Sequence, residues 1–242
     1  MDIEINCLPL FASHIFYTTL DIDVKPFKKL SKYYVKAAKH QNDQTSQDVV
    51  QVLDKIPKVR QELLEIFKSI NLEFFKYRVG ESGNDWKITT SWITRTKWKQ
   101  DSQFHNHRNS FYSGVFYYGE YDDDVAPLEI ASPLQYHGSY KMENDYEVFG
   151  SCPRATAEQW SIPPGHQQLV FFPSHLMHRV GFHNSKKIRE SLAFNIVPLP
   201  PYGRSDSSII DFEFNESYCL ESLKDKNVKR NDPSAKGKKQ SK

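Results

Sequence analysis

From residue 86 to residue 197 the chain is written in short runs with a period of two, and that period constrains the fold more than any other feature. Ile88, Thr90, Trp92 and Thr94 fall to one side of an extended backbone, and Lys87, Thr89, Ser91, Ile93 and Arg95 to the other. Residues 112–118 are β-branched and aromatic, and 127–131, 158–162, 167–172, 177–182 and 188–197 repeat the pattern. Turn chemistry separates them. Pro163–Pro164–Gly165 combines a preset φ with a residue tolerant of positive φ, 119–124 is an acidic turn, 183–187 is another turn, and 198–201 ends the series. Many short strands at close spacing predict a barrel or a sandwich, an all-β core.

The first 85 residues differ. Residues 1–23 read as an opening strand pair, INCLPLF and HIFYTTLDI. Residues 25–41 place Phe27, Leu30, Tyr34 and Ala37/Ala38 on one face, with Pro26 early, which predicts an amphipathic helix. Residues 42–48 read as a loop and 48–55 as a short helical turn. Pro57 opens the clearest helix, with Val59, Leu63, Phe67, Ile70 and Phe74 in one stripe down to Tyr77. Both helices should flank the sheet on its outside. Residues 132–153 are long, polar and aromatic, the profile of a loop with a task such as a lid, and 209–214 reads as an edge strand. There is no internal repeat. The expected organisation is one domain over 1–223, with an N-terminal extension (1–85), a barrel core (86–198) and a disordered basic tail (224–242).

Charge narrows the partners. The tail carries eight basic and two acidic residues, a net +6 in a chain of net +2, so the body is near −4. A mildly acidic body argues against a nucleic-acid face, and the tail reads as a solvated end. Three scattered cysteines, Cys7, Cys152 and Cys219, form no metal or disulfide pattern and predict free thiols in a reducing compartment. No secretory leader and no run of eighteen apolar residues is present, so a cytoplasmic, membrane-free protein is expected. Oligomeric state is not legible.

The chemistry gathers in three places. His105 and His107 stand one residue apart ahead of the 112–118 run, His178 lies in FFPSHLMHRVGF, and Arg189 follows eleven residues later. Neutral imidazole suits Fe, Zn, Cu and Ni. A near pair with a distant third ligand can form a facial set that leaves metal positions open. HxH alone is weak, since paired surface histidines are common, and a lone core histidine is usually structural. The conjunction with Arg189 favours a site.

HNHRNSFYSGVFYY, PGHQQLVFFPSHLMHRV and IRESLAFNIVP, in that order, resemble the Fe(II)- and 2-oxoglutarate-dependent oxygenases. The closest likeness is to the prolyl-hydroxylase-like branch of marine bacteria and their phages, over roughly residues 86–198. The resemblance implies a double-stranded β-helix, a cupin-like jelly roll with N-terminal helices packed on one side. It implies His105 and His178 as iron ligands, Arg189 as the cation for the distal carboxylate of 2-oxoglutarate, and Ser191 and Tyr118 beside it. Whether Tyr117 or Tyr118 points inward depends on a register the sequence does not give. The implied activity is hydroxylation with Fe(II), 2-oxoglutarate and O2, releasing succinate and CO2, on a protein side chain or a small molecule.

One position departs from the family's pattern of two histidines and a carboxylate. His107 stands where Asp or Glu is usual. It can serve as a third imidazole ligand, turn away, or signal another metal such as zinc; the first is the reading adopted. The alternative function is a cupin-like metal protein that does not use 2-oxoglutarate. Asn109 and Ser110 read equally as ligand-orienting groups or plain turn residues. Asn195 reads as structural, Trp92 and Trp160 as core, and His137, His166, His175 and His183 as surface or turn residues.

Overall fold

The structure is a computed structural model that describes residues 12–37, 42–47, 51–133, 157–203 and 209–213. Two antiparallel sheets face each other. The larger has seven strands in the order β1-β8-β5-β10-β4-β3-β2, and the smaller has three in the order β7-β6-β9. The strands are β1 (Phe16–Thr19), β2 (Lys36–Ala37), β3 (Gln44–Thr45), β4 (Trp86–Thr96), β5 (Tyr112–Tyr117), β6 (Leu128–Ala131), β7 (Gln159–Ile162), β8 (Gln168–Pro173), β9 (His178–Val180) and β10 (Arg189–Pro198). This is the jelly-roll architecture that the strand spacing and the resemblance predicted, with helices α1 (Lys25–Tyr34) and α2 (Pro57–Ile70) flanking the larger sheet.

The larger sheet is buried on both faces, and period two sorts its residues between two cores. Phe116, Leu169, Phe171, Leu192, Phe194 and Ile196 pack with Phe27, Leu63 and Phe67 of the helices. The alternate residues Val115, Tyr117, Val170 and Phe172 meet Leu128 and Ile130 of the smaller sheet. Both helices start with proline in the first turn, where its missing N–H costs nothing.

Four differences from the sequence reading have physical causes. Helix α1 ends at Tyr34, not 41, because Val35 turns extended and the chain continues into β2. Residues 42–48 are not all loop: Gln44–Thr45 pairs with β4 and extends the sheet. Helix α2 stops at Ile70 in a π-type turn over Asn71–Phe75, which closes on a left-handed Lys76. The Asn71 amide there donates to the Tyr77 carbonyl and to Asn84, so Phe74 leaves the stripe and is exposed. Finally, β4 carries a bulge opposite Asn195 and Ile196, which pair with Thr90 and Ile88. The extra residue flips parity. Trp86 and Ile88 face the helices, whereas Trp92 and Thr94 face the other sheet and its cavity. The uniform alternation from 88 to 94 is therefore wrong at Ile88.

Residues 1–11, the 134–156 part of the long segment, the tail and all three cysteines lie outside the described residues. Residues 209–213 form an isolated bridge, Tyr202 with Ile210, rather than a strand. Among the described residues no helix is long and apolar enough to cross a membrane.

Gly114 lies opposite Phe194 in the β5–β10 pair. A Cβ there would lie 2.2 Å from the Phe194 ring, too close for any carbon pair. Gly114→Ala should lower stability by about 1–3 kcal/mol through overpacking, measured by urea unfolding. Adding Phe194→Leu to the same chain should recover part of the loss.

Candidate functional site

The three histidines meet because the backbone ties their segments together. His105 and His178 form an antiparallel bridge, N–H to carbonyl in both directions at 3.0 and 2.9 Å. The His107 N–H donates to the Ser174 carbonyl at 2.9 Å, and the Ser102 N–H to the Val180 carbonyl at 3.1 Å. The loop after β4 thus runs as an extra edge along β9. Ring centroids lie 4.4 Å apart for His105–His178, 4.8 Å for His107–His178 and 5.3 Å for His105–His107. One ligand atom from each lies within 4.8 Å of the other two.

Each ring has one nitrogen already engaged. His105 Nδ1 faces the Gln103 carbonyl at 2.8 Å, and His178 Nδ1 the Leu176 carbonyl at 2.9 Å. His107 Nδ1 faces Asn195 Oδ1 at 2.7 Å and Ser113 Oγ at 2.8 Å. A carbonyl can only accept, so Nδ1 carries the hydrogen in His105 and His178, and Nε2 keeps its lone pair. Burial also holds two rings neutral. It is the main cause that lowers His107 to about 4 and His178 to about 3, and the neighbouring His105 adds to both. Neutral imidazoles with free nitrogens turned together are a fitting donor set for a divalent transition metal.

Arg189 is fully buried, at 2% exposure. Its Nε donates to the Ala126 carbonyl at 3.0 Å, Nη1 to Ser191 Oγ at 3.2 Å and Nη2 to the Tyr117 hydroxyl at 3.0 Å. A guanidinium has five N–H groups, so one remains on each terminal nitrogen. Among the described residues no carboxylate is ion-paired with it. A buried cation with N–H groups to spare fits an anionic ligand, above all a carboxylate.

Tyr118 is not part of this arrangement. It faces the helices, buried and stacked on Phe27 at 5.2 Å, because successive strand residues point to opposite faces. Tyr117 is the inward residue beside Arg189.

The three histidines, Arg189 and Ser191 line one cavity of about 240 Å³. The same wall includes Asp43, which the sequence reading missed because it treated 42–48 as loop. Asp43 is 4% exposed, and its Oδ1 has no hydrogen-bond partner. Burial raises its carboxyl from 3.8 to about 6, against the opposing pull of Arg189. Trp92 is buried as predicted, with its ring 5.3 Å from that of His107, but Trp160 is 41% exposed. His183 is no surface residue either. It is fully buried, accepting from the Ala126 N–H at 3.1 Å and lying 2.7 Å from the Lys187 carbonyl, so it braces the loop whose Ala126 carbonyl holds Arg189.

Residues 90–195 match a family model described as "Putative 2OG-Fe(II) oxygenase". This segment resembles the 2OG-Fe(II) oxygenases. It contains the whole histidine and arginine constellation. No curated protein matches the chain. Solved structures similar to it include HygX from Streptomyces hygroscopicus with nickel and 2-oxoglutarate bound (TM-score 0.51, 9% identity, 83% of this chain and 93% of that one). The epimerase SnoN and the carbocyclase SnoK, both from nogalamycin biosynthesis, are also similar. SnoN has a TM-score of 0.52 and 7% identity, covering 84% of this chain and 90% of its own. SnoK has 0.51 and 12%, covering 76% and 80%. At these identities the likeness is one of fold.

Asp43, in the cavity wall but outside the matched segment, gives a measurable pH effect. The unfolded carboxyl ionises near 3.8 and the folded one near 6. Between those values the folded state binds more protons, so stability falls as pH rises through the window. Asp43→Asn removes that fall. The variant should therefore gain stability over wild type at pH 8, by up to about 3 kcal/mol, and gain little at pH 4, read from denaturant midpoints at the two pH values.

Proposed function

We propose that His105, His107 and His178 together hold Fe(II), and that Arg189, backed by Ser191 and Tyr117, takes the distal carboxylate of 2-oxoglutarate. The chain is a 2-oxoglutarate-dependent oxygenase of the hydroxylase type. One observation carries the assignment of residues: three clustered imidazoles and one buried guanidinium, with no ion-paired carboxylate among the described residues, line the same cavity.

When bound, the metal and 2-oxoglutarate supply the oxidising chemistry with O2, and succinate and CO2 are the co-products. The protein's own part is placement. The backbone bridge between His105 and His178 fixes two donors without relying on side-chain packing. Arg189 keeps an N–H on each terminal nitrogen for a carboxylate, and its fixed place at one end of the cavity sets the direction in which a dicarboxylate lies. Phe172, with its ring 4.7 Å from that of His178, and Val115 and Leu128 make the cavity wall partly apolar and limit water near the donors. A protein side chain or a small molecule is the proposed substrate. An intracellular setting is proposed on the scattered cysteines.

Titration of the anaerobic Fe(II) protein with 2-oxoglutarate, followed by its charge-transfer absorbance, tests these roles. Arg189→Ala should weaken 2-oxoglutarate binding by about a hundredfold or more, since truncating one side of a buried ion pair costs about 2–5 kcal/mol. Arg189→Lys should recover only part, because an ammonium lacks the fork. Tyr117→Phe should cost about fivefold through one lost hydrogen bond, and Tyr118→Phe should leave 2-oxoglutarate affinity unchanged. Tightly held zinc with no 2-oxoglutarate-dependent band would instead favour a cupin-like metal protein.

A further inference from the structure

We infer that Asn195 is a positioning residue that makes His107 a metal donor, acting through a buried polar box with Ser113, Ser174 and Thr90. The inference rests on the three-imidazole reading above and adds to it how the third imidazole is held.

The box has a consistent set of hydrogens. Asn195 lies on β10 and turns inward with Arg189 and Ser191, the residues of like parity. Its Nδ2 donates to Thr90 Oγ1 at 2.9 Å, which directs Oδ1 the other way. Ser113 Oγ donates to Asn195 Oδ1 at 2.8 Å, and Ser174 Oγ lies 2.8 Å from Ser113 Oγ. Asn195 Oδ1 thus has one lone pair taken by Ser113 and one directed at His107 Nδ1, 2.7 Å away. An amide oxygen only accepts, so the imidazole hydrogen sits on Nδ1. The free lone pair is then on Nε2.

The box also fixes the ring's orientation. Ser113 and Ser174 are buried at 1% and 0% exposure and Asn195 at 7%, so water does not compete for these bonds. The Ser174 carbonyl accepts from the His107 N–H, so the same residue touches both the backbone and the box. Thr90 lies opposite Asn195 at the end of the register that runs unbroken from Arg189, just before the β-bulge, so the two side chains share one face of the sheet. His105 and His178 get their orientation from backbone carbonyls close by in sequence. His107 is the one of the three whose orientation depends on side chains from four other segments, so it is the one a substitution can release.

The test is Co(II) affinity of the metal-free protein, from titration of its visible absorbance, alongside thermal unfolding of the same metal-free variants. His107→Ala sets the loss for removing the donor. Asn195→Leu, close in size but without an acceptor, should weaken Co(II) binding by about 10- to 100-fold, the range for groups that orient a metal-bound histidine. Asn195→Asp keeps an acceptor and should stay within about threefold of wild type on the same footing. Should Asn195→Leu not fold, Thr90→Val decides: it frees the amide without removing it and should weaken Co(II) binding severalfold. Wild-type affinity in Asn195→Leu, or in Thr90→Val where that variant decides, overturns the inference whatever happens to the melting temperature, and so does equal loss in Asn195→Leu and Asn195→Asp. Wild-type affinity in His107→Ala is a separate result. It removes the three-imidazole reading itself.

Discussion

The site exists because the central strands of the larger sheet are buried on both faces and alternate strictly between them. On β10, Leu192, Phe194 and Ile196 go to the helices, while Arg189, Ser191 and Asn195 go to the cavity. On β5, Phe116 goes one way and Ser113, Val115 and Tyr117 the other. Pairing of β10 with β5 puts Ser191 beside Tyr117 and Asn195 beside Ser113. One register therefore builds both polar units, the guanidinium's cradle and the imidazole's box. A slip by one residue would turn all of these groups to the other face of the sheet.

The histidines obey a different constraint. His105 and His107 sit on a loop zipped by backbone hydrogen bonds to β9, the strand that His178 opens. Those bonds form irrespective of side chain, so the chain brings residues 105 and 178 together before any ion is considered. Burial then does the electrostatic work. It disfavours imidazolium at His107 and His178, leaving both rings neutral around pH 7.

Much of this was legible in the sequence, for identifiable reasons. Strand positions came through because period two is a local property, and β4, β5, β8 and β10 lie where the alternation placed them. The His105, His107, His178 and Arg189 set came through because residue type and order survive folding. What failed depended on single-residue register or on contacts from far away. Tyr117 and Tyr118 are indistinguishable by composition, and only the pairing with β10 separates them. The β4 bulge leaves no mark in the run from Trp86 to Thr94. Asp43 and the β2–β3 strands were hidden because two-residue strands carry no period, and their pairing partner lies some fifty residues away. Asn195 read as structural because its partners, Thr90, Ser113 and His107, come from three separate segments. His183 failed likewise, since the groups that bury it are recruited at long range.

Groups that folding ordinarily avoids are concentrated on one face of this sheet. A buried guanidinium with no ion-paired carboxylate and a carboxyl oxygen with no hydrogen-bond partner, both among the described residues, and a box of hydroxyls and amide all oppose stability unless satisfied. The opposite face of the same strands is almost wholly apolar, with Phe67 meeting Trp86, Tyr112 and Phe171 at ring separations of 5.0 to 5.5 Å. Stability and chemistry are thus carried by alternate residues of the same strands, a division only a doubly covered sheet allows. It also explains why helices α1 and α2 contribute nothing to the cavity yet are indispensable to it: without the core they seal, the polar face would have no support for its cost.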